Sequence, residues 1–138
     1  MSKKYPVIAI TGSSGSGTST VRESFQHIFT RDGIDADIIE GDAFHRYERH
    51  EMDELIKKNR HKSDIDFSHF SPDANLLSDL AKTFHQFGKN GKYKTRRYVH
   101  TEEQAIIFKQ KTGSMTPWED ASSELLFYEG LHGGYVGP

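Results

Sequence analysis

The sequence predicts an α/β fold in which a parallel sheet is flanked by helices. Three short apolar runs, residues 7–10, 37–40 and 125–128, have the length and the β-branched or aromatic content of strands. Stretches with apolar residues at helical spacing separate these runs. Because strands that alternate with helices are typical of parallel sheets, this order favours a parallel sheet over an antiparallel one.

The first predicted strand, residues 7–10, is a continuous apolar run after Pro6 and is expected to be buried on both faces. The helix that follows carries one apolar stripe, formed by Val21, Phe25, Ile28 and Phe29. Asp32 and Gly33 provide a stop signal for this helix. The second strand, residues 37–40, comes directly afterwards.

Two more helices are predicted before the third strand. Met52, Leu55 and Ile56 indicate a short helix. The next has apolar residues at helical spacing, Leu76, Leu77, Leu80, Phe84 and Phe87, and the turn-forming residues 88–91 are expected to end it. Residues 89–124 show little periodicity, and the strand at 125–128 is ended by Glu129 and Gly130. A glycine-rich tail follows at once, which is an unusual place for an α/β domain to stop, so we expect the chain to be cut short.

Composition argues against several classes of protein. The 18 Lys and Arg nearly balance the 20 Asp and Glu, and the net charge of −2 disfavours a general nucleic-acid or membrane-surface binder. The sequence has no cysteine, which excludes a disulfide scaffold, a thiolate metal site and a cysteine nucleophile. No apolar stretch approaches the roughly 20 residues of a membrane span. We therefore expect a soluble cytoplasmic protein with no nucleic-acid or membrane partner.

A glycine-rich loop between the first strand and the first helix predicts phosphate binding. Backbone N–H groups and the positive end of the helix dipole can surround phosphate oxygens at such a place. The loop fits the pattern G-x-x-x-x-G-K-[ST] at Gly12, Gly17 and Ser19, which predicts a P-loop NTPase-like fold. The expected ATP-binding residues are Gly12, Ser13, Ser14, Gly15, Ser16, Gly17, Thr18, Ser19 and Thr20. The alternative is a Gly/Ser-rich connection that binds no ligand.

The loop departs from its pattern at one position, where Thr18 replaces the lysine. Threonine cannot supply positive charge to the β- and γ-phosphates, so a cation is expected from elsewhere in the chain. Ser19 is the expected Mg²⁺ ligand. Glu129, at the end of the third strand, matches the acidic residue that supports Mg²⁺ in phosphate-loop enzymes. Its alternative is an exposed carboxylate at a strand end.

Asp42 follows the second strand and is the candidate general base of a kinase. A kinase needs a carboxylate within hydrogen-bond reach of the attacking hydroxyl. His45, Arg46 and Arg49 are near enough in sequence to hold an anionic acceptor. The alternative is an aspartate that caps a helix, beside solvated arginines.

A second group of basic and aromatic residues could bind a sugar phosphate: Lys92, Lys94, Arg96, Arg97, Tyr98 and His100. For Lys92, Lys94 and Arg97 a solvated face is the favoured interpretation. The eight histidines lack the i, i+4 helical spacing of a zinc site, so structural zinc is not expected. Trp118 is interpreted as a packing group.

Together these segments resemble the bacterial type of phosphoribulokinase, in the phosphoribulokinase and uridine kinase group, whose loop also has threonine in place of the lysine. The matching segments are residues 12–20, 40–46, 67–70 with 74–75, 96–100 and 127–133. The resemblance implies ATP- and Mg²⁺-dependent phosphorylation of the 1-hydroxyl of D-ribulose 5-phosphate, with Asp42 as base. It implies that the sugar phosphate is bound by His45, Arg49, Arg96, Tyr98 and His100. It also implies a homo-oligomer. Because family members are longer than this chain, it implies that residues 1–138 are the N-terminal part of one longer P-loop kinase domain.

Two other functions remain open from the sequence. A nucleoside or pantothenate kinase relative would share the loop and the following acid, but such kinases ordinarily keep the lysine that Thr18 replaces. A non-catalytic nucleotide-binding or assembly module would bind ATP without turnover. Comparing ribulose 5-phosphate with uridine as acceptor separates the two kinases, and nucleotide binding without turnover identifies the module.

Overall fold

The computed structural model of the chain describes residues 4–12, 16–59 and 74–135. The five strands are β1 (Val7–Thr11), β2 (Ala36–Glu40), β3 (Lys92–Thr95), β4 (Glu119–Ser122) and β5 (Leu125–Gly130). The four helices are α1 (Thr18–Asp32), α2 (Arg49–Asn59), α3 (Leu77–Asn90) and α4 (Glu102–Phe108). Short 3₁₀ helices occupy Gly41–Phe44 and Gly133–Tyr135. In these ranges, no helix is both long enough and apolar enough to cross a bilayer.

The main sheet has the order β1-β5-β2 and is parallel throughout, which confirms the predicted α/β fold with helices on a parallel sheet. The strand that comes latest in the chain therefore lies between the other two. The register pairs Ile10 with Glu129 and Glu40 with Glu129. Since the strands are parallel, their carboxyl ends meet at one edge, where ligands of such sheets bind.

Helices cover both faces of this sheet. Successive side chains of β5 point to opposite faces, so each face packs against a different helix. On one face, Phe25 and Phe29 of α1 pack against Phe127, with ring centroids 5.1 and 6.0 Å apart. On the other face, Phe84 of α3 meets Tyr128 edge-on at 5.5 Å. The buried cluster on that side comprises Ile39, Ala43, Phe44, Leu80, Phe87, Tyr93, Leu126 and Tyr128.

One detail of the sequence prediction is wrong. β1 is not buried on both faces, because β5 takes the central position and leaves Ala9 and Thr11 exposed. The expected stop of α3 within residues 88–91 is confirmed: the helix continues through Gly88 to Asn90 and ends where Gly91 adopts a left-handed conformation with φ 70°. A glycine inside a helix costs only about 1 kcal/mol relative to alanine. The buried face around Leu80 and Phe87 outweighs that cost.

Residues 89–124, whose apolar residues follow no clear helical or strand periodicity, contain regular structure. β3 and β4 pair in an antiparallel two-stranded sheet, and α4 lies between them in the chain. Tyr93 is the residue of β3 that is buried, at 1% exposure, and its hydroxyl donates to the Asp37 carboxylate of β2. Thr101 starts α4 with a capping box in which its side chain accepts from the backbone N–H of Gln104.

Candidate active site

The candidate site lies at the carboxyl edge of the parallel sheet. Glu40 ends β2, and Glu129 lies beside it in register near the end of β5. Asp42 follows on the 3₁₀ helix Gly41–Phe44. The loop that leaves β1 is tied to this edge because the N–H of Gly12 donates to the carbonyl of Gly130 over 3.2 Å. The fold therefore brings the glycine-rich loop and three carboxylates to one place.

Asp42 is held between two histidines. Nε2 of His45 donates to Oδ1 of Asp42 over 3.2 Å, and Nε2 of His100 lies 3.2 Å from Oδ2. His100 Nε2 is also 3.4 Å from Oε2 of Glu40. The ring of Tyr98 contacts both imidazoles, with centroids 5.5 Å from His45 and 4.8 Å from His100. The structure thus groups four of the residues that the sequence singled out, and Asp42 does not cap a helix through its side chain.

These contacts set the charges of the cluster. Hydrogen bonds from His100 and His45 hold the pKa of Asp42 well below its usual range. The hydrogen bond from His100 likewise lowers the pKa of Glu40. Hydrogen bonds to Asp42 and then to Glu40 raise the pKa of His100 to about 9. At neutral pH the cluster therefore holds two ionised carboxylates with a protonated imidazole between them.

The glycine-rich loop turns tightly where it is described. Gly17, directly before α1, has φ 90°, a left-handed conformation that favours glycine. A Cβ on Gly12 would meet the Ser16 hydroxyl and lie 2.8 Å from Cγ2 of Thr18, so a larger residue here would force these side chains to move. Thr18 therefore packs against the start of the loop. Ser13, Ser14 and Gly15 lie outside the described residues.

Ser19 and Glu129 come together at the start of α1. The Ser19 hydroxyl donates to Oε1 of Glu129 over 3.4 Å. A hydroxyl and a carboxylate supply the oxygen donors that Mg²⁺ prefers. The chemistry of this pair therefore fits a magnesium ion bound beside the phosphate loop.

Arg22 was not singled out from the sequence, yet it bridges the two acidic strand ends. Its Nη1 lies 2.9 Å from Oε2 of Glu129 and 3.2 Å from Oε1 of Glu40. Its Nε is buried and has no hydrogen-bond partner among the described residues. The spacing in the sequence could have identified it: Arg22 follows Ser19 by three residues and therefore lies on the same side of the helix. Arg22 brings positive charge to a site whose loop has no lysine.

The structure separates Arg49 from this cluster. Arg49 begins α2 and packs against Gly113, where an added Cβ would lie 2.7 Å from Cβ of Arg49. It lines a cleft with Lys109 and Lys111. Between Arg49 and Asp42, both within the described ranges, the structure shows no hydrogen bond or ion pair.

The other basic residues differ in their surroundings. Lys92, Lys94 and Arg97 are exposed, as expected of a solvated face. The backbone N–H of Arg46 donates to the carbonyl of Ala74, and the residue is exposed. Arg96 is partly buried, and its guanidinium donates to the backbone of the segment that contains Asp42.

Bacterial phosphoribulokinases are similar to this chain over nearly its whole length. The plasmid phosphoribulokinase of Cupriavidus necator is 47% identical over 138 residues, which are 99% of this chain and 47% of that protein. The phosphoribulokinase of Sinorhizobium medicae is 50% identical over 134 residues, 96% of this chain and 46% of that protein. The solved phosphoribulokinase from Rhodobacter spheroides superposes with a TM-score of 0.81 at 45% identity, covering 96% of this chain and 45% of that one.

The chain spans about half the length of the curated relatives it matches. The model of the family described as Phosphoribulokinase / Uridine kinase family matches residues 7–138. Because this match covers nearly the whole chain, the chain belongs to the phosphoribulokinase and uridine kinase family.

Proposed function

We propose that the protein carrying this chain transfers the γ-phosphoryl group of ATP to the 1-hydroxyl of D-ribulose 5-phosphate, giving ribulose 1,5-bisphosphate. The names of the similar bacterial enzymes support this substrate. The observation that carries the proposal is the Asp42 carboxylate, held between His45 and His100 at the sheet edge that also anchors the loop. Mg²⁺, a cytoplasmic location, homo-oligomeric assembly and a single domain that continues beyond this chain are parts of the same proposal.

The nucleotide is assigned to the loop of residues 12–20. Backbone N–H groups at the start of α1 bind the phosphates, and glycine leaves space for them. Ser19 and Glu129 are the residues that would hold magnesium. A bound Mg²⁺ ion would neutralise charge on the β- and γ-phosphates. Arg22, which already contacts Glu129 at 2.9 Å, keeps that carboxylate directed to the loop.

Asp42 is assigned the role of general base. As the 1-hydroxyl oxygen attacks the γ-phosphorus, Asp42 takes its proton, a new P–O bond forms, and the bond to ADP breaks with its electron pair leaving on ADP. A base must be ionised before it can accept a proton. Asp42 meets this condition, and hydrogen bonds from His100 and His45 hold its pKa well below its usual range.

The sugar phosphate is assigned to the face beside this base. Tyr98 contacts both His45 and His100, and the polar groups of these three side chains are assigned to the sugar. Arg49, in its cleft with Lys109 and Lys111, is assigned to the 5-phosphate.

Replacement of Asp42 tests the assignment. Asp42→Asn in the full-length protein keeps the shape of the side chain and should lower kcat on the order of 10² to 10⁴, with ATP affinity nearly unchanged. Asp120→Asn, an exposed aspartate of β4, is the control and should leave kcat as it is. A near-normal kcat for Asp42→Asn would remove it from this role.

The acceptor is tested by comparing ribulose 5-phosphate with uridine in the wild-type protein. Turnover of the sugar phosphate supports the proposal. Turnover of uridine alone would contradict the substrate, and ATP binding with neither turnover would indicate a nucleotide-binding module.

A further inference from the structure

Arg96, just after β3, has its guanidinium group turned toward the protein backbone. Its Nε donates to the carbonyl of Ala43 over 2.7 Å, and its Nη2 donates to the carbonyl of His45 over 2.7 Å. Both distances are those of strong charge-assisted hydrogen bonds. The two accepting carbonyls belong to the segment of residues 41–45, which includes Asp42.

These carbonyls need a partner because of where they lie. The 3₁₀ helix Gly41–Phe44 ends at His45, and carbonyls at a helix end have no N–H donor within the helix. Ala43 is 1% exposed, so water has little access to its backbone. A buried carbonyl that lost its donor would carry an appreciable penalty. The planar fork of an arginine can satisfy both carbonyls at once, which the single ammonium group of lysine does less well.

Trp118 fixes the guanidinium from its other side. Cζ of Arg96 lies 4.4 Å from the centroid of the Trp118 ring, the geometry of a cation–π contact. The same ring meets Phe44 edge-on at 5.7 Å, and Phe44 is 2% exposed. Arg96 is therefore held between an aromatic face and the backbone of residues 43–45.

We propose that Arg96 is a positioning residue that fixes the segment of residues 41–45, and through it Asp42 and His45, and is not a ligand of the sugar's phosphate. The inference rests on the proposed function and reassigns one residue that the family resemblance gave to the substrate. Arginine binds phosphate best through a pair of adjacent N–H donors, and two of the five N–H donors of Arg96, on Nε and Nη2, already point at main-chain oxygens. Because His45 contributes both a carbonyl to Arg96 and an imidazole to Asp42, a shift of this segment moves the base directly.

The test compares Arg96→Lys and Arg96→Gln with the wild-type full-length protein. Both variants lose the fork, and the lysine keeps the charge. We expect both to lower kcat by roughly 10- to 100-fold, since a small misplacement of the base has an effect of that size. The KM for ribulose 5-phosphate should change by less than about threefold, because substrate binding is not removed. Lys89→Gln removes an exposed charge at the end of α3 and is the control.

Two readouts do not depend on turnover. Trp118 is the only tryptophan of the sequence, so its fluorescence should change in Arg96→Gln and not in Lys89→Gln. The hydrogen bond to Asp42 raises the pKa of His100, which NMR titration of the ring protons measures. In Arg96→Gln this pKa should move toward the ordinary histidine range, because the contact between His100 and Asp42 loosens. If wild-type protein shows no turnover, the proposed function fails and these two readouts alone decide the role of Arg96.

Two results would overturn the inference. The first is an Arg96→Lys variant with normal kcat beside an Arg96→Gln variant whose main defect is a tenfold or larger increase in KM, the behaviour of a phosphate ligand. The second is an Arg96→Gln variant that is folded by circular dichroism but has unchanged Trp118 fluorescence and an unchanged His100 titration.

Discussion

Replacing His100 by glutamine should remove a pH-dependent part of the stability. Hydrogen bonds to Asp42 and Glu40 raise the pKa of His100 from 6.5 to about 9. A group whose pKa is raised on folding stabilises the fold fully below its unfolded pKa, and the contribution is lost as the pH rises through the folded value. The contribution of His100 is therefore present below pH 6.5 and disappears between 6.5 and about 9.

The size of this contribution follows from the shift and the exposure. The shift alone corresponds to roughly 3 kcal/mol, at 1.36 kcal/mol for each pKa unit. The side chain of His100 is 37% exposed, so solvent screening reduces the expected gain to about 1 kcal/mol. His100→Gln should thus lower the free energy of unfolding by about 1 kcal/mol at the acidic end of the window and by almost nothing at its alkaline end.

Urea unfolding at a series of pH values measures this difference, and NMR titration of the histidine ring protons measures the pKa itself. His85→Gln changes an exposed histidine of α3 and is the matched control, for which no such pH-dependent loss is expected. A difference between wild type and His100→Gln that is constant with pH would refute the reasoning. So would a titration midpoint of His100 at the ordinary value of 6.5.

Three further changes test the surroundings of the site. Gly41→Ala should cost about 1 to 3 kcal/mol in urea unfolding, because the new Cβ would lie 2.6 Å from the buried Tyr128 hydroxyl, and adding Tyr128→Phe should recover part of that loss. Thr101→Ala should cost about 0.5 to 2 kcal/mol by removing the cap of α4, and amide exchange there should accelerate. Arg22→Gln should cost about 1 kcal/mol at low salt and less at high salt, since its partner Glu129 loses a screened ion pair.

The strands and helices that carry the loop were predictable because their residues repeat with clear periods. The strand at 125–128 is apolar throughout, and Phe127 and Tyr128 are buried on opposite faces of the sheet, as a strand covered on both sides requires. β3 and β4 were missed because their residues are mostly exposed. Only Tyr93 marks β3 as part of the interior, and a single buried tyrosine in four residues gives no period.

The sequence predicted which residues belong to the candidate site better than it predicted their contacts. The order of residues places Asp42 after a strand, and parallel strands bring their carboxyl ends together. The roles of individual cations could not be separated in this way. Arg96 and Arg97 are adjacent in the sequence and chemically identical. Only the structure distinguishes them: Arg96 is partly buried against Trp118 and donates to the carbonyls of residues 43 and 45, whereas Arg97 is exposed.

The central place of β5 has a consequence for how the chain folds. Among the described residues, β1 and β2 do not pair with each other, and each pairs with β5 (Leu125–Gly130), which lies between them. Contacts of such long sequence separation slow folding, because a large loop must close before they form. On the ribosome, more than a hundred residues emerge before the strand that unites them, and both edges stay open to other chains meanwhile. The carboxyl edge that brings Glu40 beside Glu129 can therefore form only after residues 125–130 have emerged and inserted between β1 and β2.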